Sequence, residues 1–491
     1  MHAPLDTAEH PEKLRRVVIE PVSRVEGHGK VTILLDDQHR VQQVRLHVVE
    51  FRGFERFIQG RPFWEVPVMV QRLCGICPVS HHLAASKALD SVVGASKVPA
   101  AADRIRRLMH YGQILQSHAL HFYHLASPDL LFGFHSEPQK RNVVGVLAAY
   151  PDIARQGILL RKYGQEVIRI TAGKRVHGTG SIPGGVNKAV SAAERDELLR
   201  PLADIVAWAE AGVKLVAELH GHNRELYEHF GTVRSSLLSL VGCDGKLDLY
   251  DGVLRARDAD GRIIFDGVAC RDYGAQLREN VRSWSYMKFP FIASRGAEDG
   301  WYKVGPLARV QNCDAIGTPL AEAARQEFLA SSPGGLIHAP LAFHWARMIE
   351  LLHAAEVIGG LLADPALLGD ELVASGPRGT LAVGIIEAPR GTLIHHYEVD
   401  EHDLVTMCNL IVSTTHNNQA MNEAIREVAR RYIDGHEPTE SLLNHIEVAI
   451  RAFDPCLSCA THALGKMPLW VEIVDTSGVV VERLTRDGER S

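Results

Sequence analysis

Arg72-Leu73-Cys74-Gly75-Ile76-Cys77-Pro78-Val79-Ser80-His81 and Asp454-Pro455-Cys456-Leu457-Ser458-Cys459-Ala460-Thr461-His462 are the two stretches that decide how this chain is read. Each holds a Cys-x-x-Cys pair followed within four residues by a histidine, one near each end of 491 residues. Two pairs offer four thiolates, the soft donor set that selects zinc, nickel, copper(I) or iron–sulfur over magnesium or calcium. A structural zinc site normally draws its pairs from one small module, whereas these lie hundreds of residues apart. An iron–sulfur cluster usually takes its sulfurs from a denser run. A thioredoxin-like pair needs a single Cys-x-x-Cys beside a βαβ unit, which is not read here. The fourth reading is a buried transition-metal site that sews the two ends of the chain together. Spacing alone weighs it evenly with zinc.

Composition sets the frame around these motifs. The length allows a sizeable core, and 46% hydrophobic with 23% charged residues is close to globular averages. A net charge of −6 carries no nucleic-acid footprint. Eight cysteines are too few for a secreted disulfide framework in so long a chain. Four of them, Cys243, Cys270, Cys313 and Cys408, are isolated and read as buried packing thiols. The first residues show no apolar signal region, and no segment reaches 18 consecutive apolar residues, so no membrane insertion is expected.

Outward from the motifs, the first fifty residues predict strands at 15–20, 30–35 and 41–51, with a Gly-punctuated bend carrying Glu26 between the first two. From about residue 101 the apolar period becomes helical. Ser191-Ala192-Ala193-Glu194 is a capping-box pattern opening a second helical stretch, in which Pro201 either kinks the helix or marks its start. Further helices are expected at about 340–362, 417–434 and 440–452, strands and loops over 241–335, and a hairpin from 468–474 and 479–485. The predicted fold is α+β and predominantly helical: one large body with a long-helix core, N-terminal β-strands and peripheral α/β segments. The Gly178–Gly185 run has Pro183 where the third glycine of a dinucleotide-binding G-x-G-x-x-G belongs, so it reads as a turn.

The residues flanking the cysteines separate the metal readings. The chain resembles the large, catalytic subunit of the nickel–iron hydrogenases, from near its N-terminus to His462. The family's Arg-x-Cys-Gly-x-Cys-x-x-x-His is matched at Arg72–His81, and its Asp-Pro-Cys-x-x-Cys-x-x-His at Asp454–His462. Arg24-Val25-Glu26-Gly27-His28, Phe51-Arg52-Gly53-Phe54-Glu55 and Glu387-Ala388-Pro389-Arg390-Gly391 are supporting matches. The resemblance implies reversible oxidation of dihydrogen. It makes Cys74, Cys77, Cys456 and Cys459 the nickel ligands, with Cys77 and Cys459 also bridging to an iron that bears cyanide and carbon monoxide. Cys456 is implied as the thiolate that takes the proton, Glu26 as the proton-relay glutamate, and Arg390 as the cation over the cyanide ligands. Glu55 and His462 match ligands of a further metal, magnesium or a second iron, to which the family adds a main-chain carbonyl near Cys408. His81 is implied near a bridging sulfur, and Asp454 beside Arg390. From the residues alone, Glu26 reads instead as a structural carboxylate and Arg390 as an ion pair with Glu387.

Many respiratory members carry an Asp where this chain has Ser117, before His118. That puts one contact of Arg390 in question and points away from the membrane-bound branch. The flanking residues look most like the cytoplasmic, bidirectional, NAD-coupled hydrogenases. The implied partners are a small subunit carrying iron–sulfur clusters, a diaphorase module binding flavin and NAD, and a maturation endopeptidase. Alternatives are the same chemistry linked to deazaflavin or ferredoxin, a hydrogen sensor, and the non-catalytic quinone-module homologue, which has no need of four cysteines. The domain reading is residues 1–462 as the large-subunit domain and 463–491 as a C-terminal extension removed on maturation. Mass spectrometry of active enzyme is then expected to find a C-terminus between His462 and about Leu464; an intact Ser491 would contradict it.

Overall fold

Strands with one face on a core need alternating apolar residues, and the N-terminal region supplies them. In the computed structural model, which describes residues 5–332, 334–461, 470–474 and 480–485, Arg15–Ile19, Gly29–Leu35 and Val41–Val48 form an antiparallel sheet in chain order. Val31, Ile33, Val44, Leu46 and Val48 are buried in it. The sheet is pinned to the Asn418–Tyr432 helix: the Leu46 amide donates to Asn422 Oδ1 at 2.9 Å, and Arg426 Nε to the Val44 carbonyl at 3.2 Å.

The helical core is built from long elements. Ala100–Leu120 packs along Pro151–Ala172, and Ala342–Ala363 packs on both Ala100–Leu120 and Leu202–His222. Ala342–Ala363 is buried nearly all round, which is why its sequence shows no one-sided stripe. The expected helices at 340–362, 417–434 and 440–452 are present as Ala342–Ala363, Asn418–Tyr432 and Glu440–Ala452. The 191–219 stretch is two helices. Ser191 and Glu194 form the reciprocal capping box of Ala192–Leu199, and Pro201 then opens Leu202–His222, so the proline marks a start rather than a kink.

Residues 241–335 carry the expected strands, in a sheet ordered 302–303, 236–241, 253–257, 263–268, but also the helices Pro306–Asn312 and Pro319–Ala330. The helix Pro151–Ala172 is absent from the sequence reading, although its buried face carries Leu160, Tyr163, Val167, Ile168 and Ile170 beside the small Ala154, Gly157 and Gly164. Also unread were Pro78–Leu89 and the antiparallel sheet Leu381–Ala388, Gly391–Val399, Val405–Ile411. The helix is buried nearly all round and the sheet along most of its length, so their periods are weak. The C-terminal hairpin pairs Trp470–Val474 with Val480–Thr485 as expected; its turn lies outside the described residues. Among the described residues no helix is long and apolar enough to cross a membrane.

The two ends of the chain meet through backbone. Glu26 and Cys456 form a parallel β-bridge, and the Leu457 amide donates to the Glu26 carbonyl at 2.9 Å. Truncating the fully buried Leu115 to alanine is expected to cost about 2–5 kcal/mol in urea unfolding of the isolated chain. The exposed Leu147 truncated likewise should cost less than about 0.5 kcal/mol. Equal losses would contradict this account of the core.

Candidate metal centre

The first Cys-x-x-Cys is a tight turn between a 3₁₀ segment, Val70–Leu73, and the Pro78–Leu89 helix. The Ile76 and Cys77 amides both donate to Cys74 Sγ at 3.2 Å, so the turn aims backbone dipoles at that sulfur. Cys77 stands at the N-cap of the helix; hydrogen bonds from Cys456 and Cys459 lower its thiol, but contact with Cys74 and burial outweigh them and hold it above the usual range. Arg52 holds the approach to the turn, donating to the carbonyls of Leu73 (2.8 Å) and Arg72 (3.1 Å). Gln113 and Gln116 hold the far side, each donating to the Ile76 carbonyl at 2.9 Å.

The second pair follows the Glu440–Ala452 helix, which stops at Asp454, a residue in the left-handed region with φ 54°. The Cys456 amide donates to Thr414 Oγ1 at 2.9 Å. Cys74 Sγ lies 3.1 Å from Cys456 Sγ, Cys77 Sγ 3.7 Å from Cys459 Sγ, and the Cys456 and Cys459 sulfurs are 2.8 Å apart. All four sulfurs lie within 4.8 Å of one another, and all four cysteines are buried. Burial opposes ionisation of Cys74, yet hydrogen bonds from Cys456, Cys459 and Cys77 hold it well below the usual thiol range. Burial pushes Cys456 and Cys459 well above it. Four mutually facing buried thiols are a poor structural core and a good soft-metal cage.

Glu26 reaches the cage from the Gly-punctuated bend. Cys456 Sγ donates to Glu26 Oε2 at 3.0 Å, and the Ser458 amide donates to the same oxygen at 3.2 Å. Burial pushes the Glu26 carboxyl above its usual range, and the negative charge on Cys74 adds to the push. Gly27 makes the approach possible: with φ +82°, a Cβ there would lie 2.6 Å from the Ser458 amide nitrogen.

Arg390 sits over the same cavity, beside Cys77, Cys456 and Cys459. Its Nη2 donates to Asp454 Oδ1 at 3.0 Å and its Nη1 to Ser117 Oγ at 3.3 Å. The expected Asp454 contact is therefore present, and the serine takes up the contact that the missing acid left in question. The alternative pairing with Glu387 is absent, because Glu387 is bound to Arg309 at 3.0 Å. Burial opposes the Arg390 charge, while Asp454 and the Cys456, Cys77 and Cys74 thiols favour it. Arg390 Nε and Asp454 Oδ2 have no partner among the described residues, so this pair keeps one donor and one acceptor position unused. His81 lines the cavity too, and its Nδ1 bonds to His395 Nε2 at 3.1 Å. Burial keeps it neutral, at about 4.

A second buried polar cluster surrounds Glu55. Lys288 Nζ lies 3.0 Å from Glu55 Oε1 and 3.4 Å from Glu279 Oε2, and the Leu410 amide donates to Glu55 Oε1 at 2.9 Å. Two carboxylates face one ammonium, and Glu279 Oε1 has no partner among the described residues; the oxygens are of the kind a hard cation takes, with the Lys288 ammonium bonded to both carboxylates. Cys408 stands two residues before Leu410 on the same strand, its backbone opposite Tyr397. His462 lies outside the described residues. The preceding Thr461 carbonyl accepts from the Arg52 amide at 3.3 Å, beside the segment that carries Glu55. The sequence reading missed Lys288, Glu279, Thr414, Arg309 and His395. None belongs to a spacing motif, and only their shared burial reveals them.

A buried four-thiol cage joining both chain ends, inside a body of long helices, defines a soft-metal protein. Comparison with known proteins agrees. The nickel-dependent hydrogenase family matches residues 52–132 and 256–462, and a HoxL-like family matches residues 16–51. The chain is 47% identical to the NAD-reducing hydrogenase HoxS subunit beta of Cupriavidus necator, over 96% of this chain and 100% of that one. It is 42% identical to a chain of the F420-non-reducing hydrogenase of Methanothermobacter thermautotrophicus, over 96% and 100%. A crystal structure of an NAD+-reducing [NiFe]-hydrogenase in the H2-reduced state superposes with a TM-score of 0.90 at 58% identity, covering 91% of this chain and 99% of that one. The nickel–iron–selenium hydrogenase of D. vulgaris Hildenborough shares the fold alone, with TM-score 0.75 at 23% identity over 91% and 100%. This chain belongs to the nickel-dependent hydrogenases. It is the large subunit of an enzyme of that class.

One expectation is corrected. Cys243 is exposed in the turn after Ser236–Val241, and Cys270 is half-buried where it opens the short 3₁₀ turn Cys270–Asp272; Cys313 and Cys408 are buried as expected. Iodoacetamide treatment of the folded, metal-free chain should label Cys243 first, Cys270 more slowly, and the six buried cysteines only after denaturation. Peptide mass mapping that finds Cys74 or Cys456 labelled first would contradict the buried cage.

Proposed function

We propose that this chain catalyses reversible oxidation of dihydrogen at a nickel–iron centre that Cys74, Cys77, Cys456 and Cys459 would hold. The observation that carries the reading is the convergence of four buried sulfurs with Glu26 in contact with one of them. When bound, the centre supplies heterolytic cleavage of dihydrogen and a place for its electrons. The protein supplies the route for the proton. Cys456 Sγ receives it, and Glu26 Oε2, 3.0 Å away, accepts it next. A carboxyl raised by burial both takes and releases a proton nearer neutrality than an exposed one would.

Iron ligands of cyanide and carbon monoxide suit the rest of the cavity. Its walls combine apolar Ala388, Leu393 and Val412 with Arg390 and Ser413. Arg390 remains charged and offers a planar fork to anionic ligands. Magnesium, or a second iron, suits the Glu55 cluster, with His462 and the main chain near Cys408 completing it. There it would tie the C-terminal segment to the body.

Electrons leave through the iron–sulfur clusters of a small subunit, then through a diaphorase module with flavin, reducing NAD. The similarity to the NAD-reducing relatives supports this acceptor over deazaflavin. The Cys74–Cys77 turn reaches the surface at Gly75, and Phe51, Phe57, Trp64 and Val68 leave apolar surface exposed in the neighbouring segment, as a partner face would. Such a complex works in the cytoplasm, where NAD is reduced. A maturation endopeptidase removes residues 463–491 once nickel is in place.

Metal analysis of the processed complex is expected to give nickel and iron, and infrared spectroscopy to show cyanide and carbonyl stretches. Zinc in the cage, or nickel without those bands, would refute the reading. Glu26→Gln should lower hydrogen–deuterium exchange by about 10²–10⁴-fold with nickel content intact. Unchanged exchange would remove Glu26 from the relay.

A further inference from the structure

Arg390 and Pro389 are the two residues of a hairpin turn closed by the Ala388–Gly391 pair, so Arg390 stands wherever that turn is held. Arg309, on the Pro306–Asn312 helix and fully buried, holds it from behind. Its Nη1 donates to the Ala388 carbonyl at 2.6 Å and its Nη2 to the Pro389 carbonyl at 3.1 Å. The remaining donors go to Glu350 Oε1 from Nε at 2.6 Å, to Glu350 Oε2 from Nη2 at 2.5 Å, and to Glu387 Oε2 from Nη1 at 3.0 Å. All five N–H groups of the guanidinium are therefore used. The helix approaches this closely because residue 305 is glycine. Its φ is +96°, and a Cβ there would lie 2.8 Å from the Arg390 carbonyl oxygen.

The other side of Arg390 returns to the same carboxylate. Arg390 Nη1 meets Ser117 Oγ at 3.3 Å, Ser117 precedes His118, and His118 Nε2 donates to Glu350 Oε2 at 3.0 Å. The links close a ring: Arg390, Ser117, His118, Glu350, Arg309, Pro389 and back to Arg390. Every side chain in the ring is buried. His118 Nδ1 has no partner among the described residues, so Nε2 carries the hydrogen. The Arg390 head group itself has one carboxylate, Asp454, and one long bond to a serine, so its place depends on the backbone behind it.

We propose that Arg309, Glu350 and His118 are positioning residues that fix the Arg390 guanidinium over the four-thiol cavity. The inference rests on the proposed role of Arg390 facing the iron's anionic ligands. A shift of about 1 Å in a positioned group costs about 10²-fold in rate, so a buried ring at this turn has consequences for catalysis.

The test uses the assembled complex with His118→Phe, His118→Gln and Arg309→Lys, each measured for nickel content, cyanide stretching bands and hydrogen–deuterium exchange. His118→Phe leaves the Arg309–Glu350–Glu387 charges paired. It is expected to keep its nickel, move the cyanide bands and lower exchange by roughly 10²-fold. His118→Gln, whose amide can donate to Glu350, should return both toward the unsubstituted values. Arg309→Lys should move the bands as His118→Phe does; should it fail to fold, the His118 pair decides alone. Unmoved bands in His118→Phe with full nickel would overturn the proposal, and so would a Gln variant as displaced as the Phe one. Cyanide bands missing from the unsubstituted complex would instead overturn the functional reading beneath it.

Discussion

Four sulfurs from segments 382 positions apart in sequence must meet within a few ångströms, and the rest of the molecule is arranged around that meeting. A cage assembled from both ends cannot be made by local turns alone. The first pair is set by a turn whose amides point at Cys74 and by a helix that starts at Cys77. The second is set by the end of a helix and by the Glu26–Cys456 bridge. Because both arms are buried, the metal site depends on the closed core. Loss of packing along the long helices would open the cage even though no cysteine had changed.

Burial gives the cage its chemistry and also its main cost. Arg390, Asp454, Arg309, Glu350 and Glu387 are all withdrawn from water around it, and a buried charge without a partner is strongly destabilising. The structure meets this with bidentate and multiply bonded pairs rather than isolated ones. Glu350 accepts from both Arg309 and His118, and Glu387 accepts from Arg309, the Leu240 amide and Thr392. The groups left with spare capacity, Arg390 Nε and Asp454 Oδ2, are at the cage.

Much of the site is legible in the sequence because its chemistry requires fixed spacings. The two Cys-x-x-Cys pairs, Glu26 beside Gly27, and Asp454 ahead of Cys456 stand in motifs that the structure brings together. The N-terminal strands were legible from their β-branched apolar runs and the partial alternation of Val41–Val48, and the helix after Ser191 from its capping box. What surrounds the cage was not. The Pro78–Leu89 helix is buried nearly all round, and the 381–411 sheet is buried along most of its length, reaching solvent only at positions such as Leu381, Glu398 and Thr406, so their periods are weak. Arg309, Lys288 and His395 contact the site only through tertiary packing, so nothing near them in sequence marks them. Ser117 is the intermediate case: its neighbourhood raised the right question about Arg390, and only the 3.3 Å contact answers it.

The central claim is that Cys74, Cys77, Cys456 and Cys459 together ligate nickel next to iron. Nickel X-ray absorption on the processed, assembled complex tests it most directly. The account predicts a first shell dominated by sulfur, with an iron scatterer just beyond it, both lost together when Cys456 is replaced by serine. A shell of nitrogen and oxygen donors, or a sulfur shell unaffected by that replacement, would contradict it.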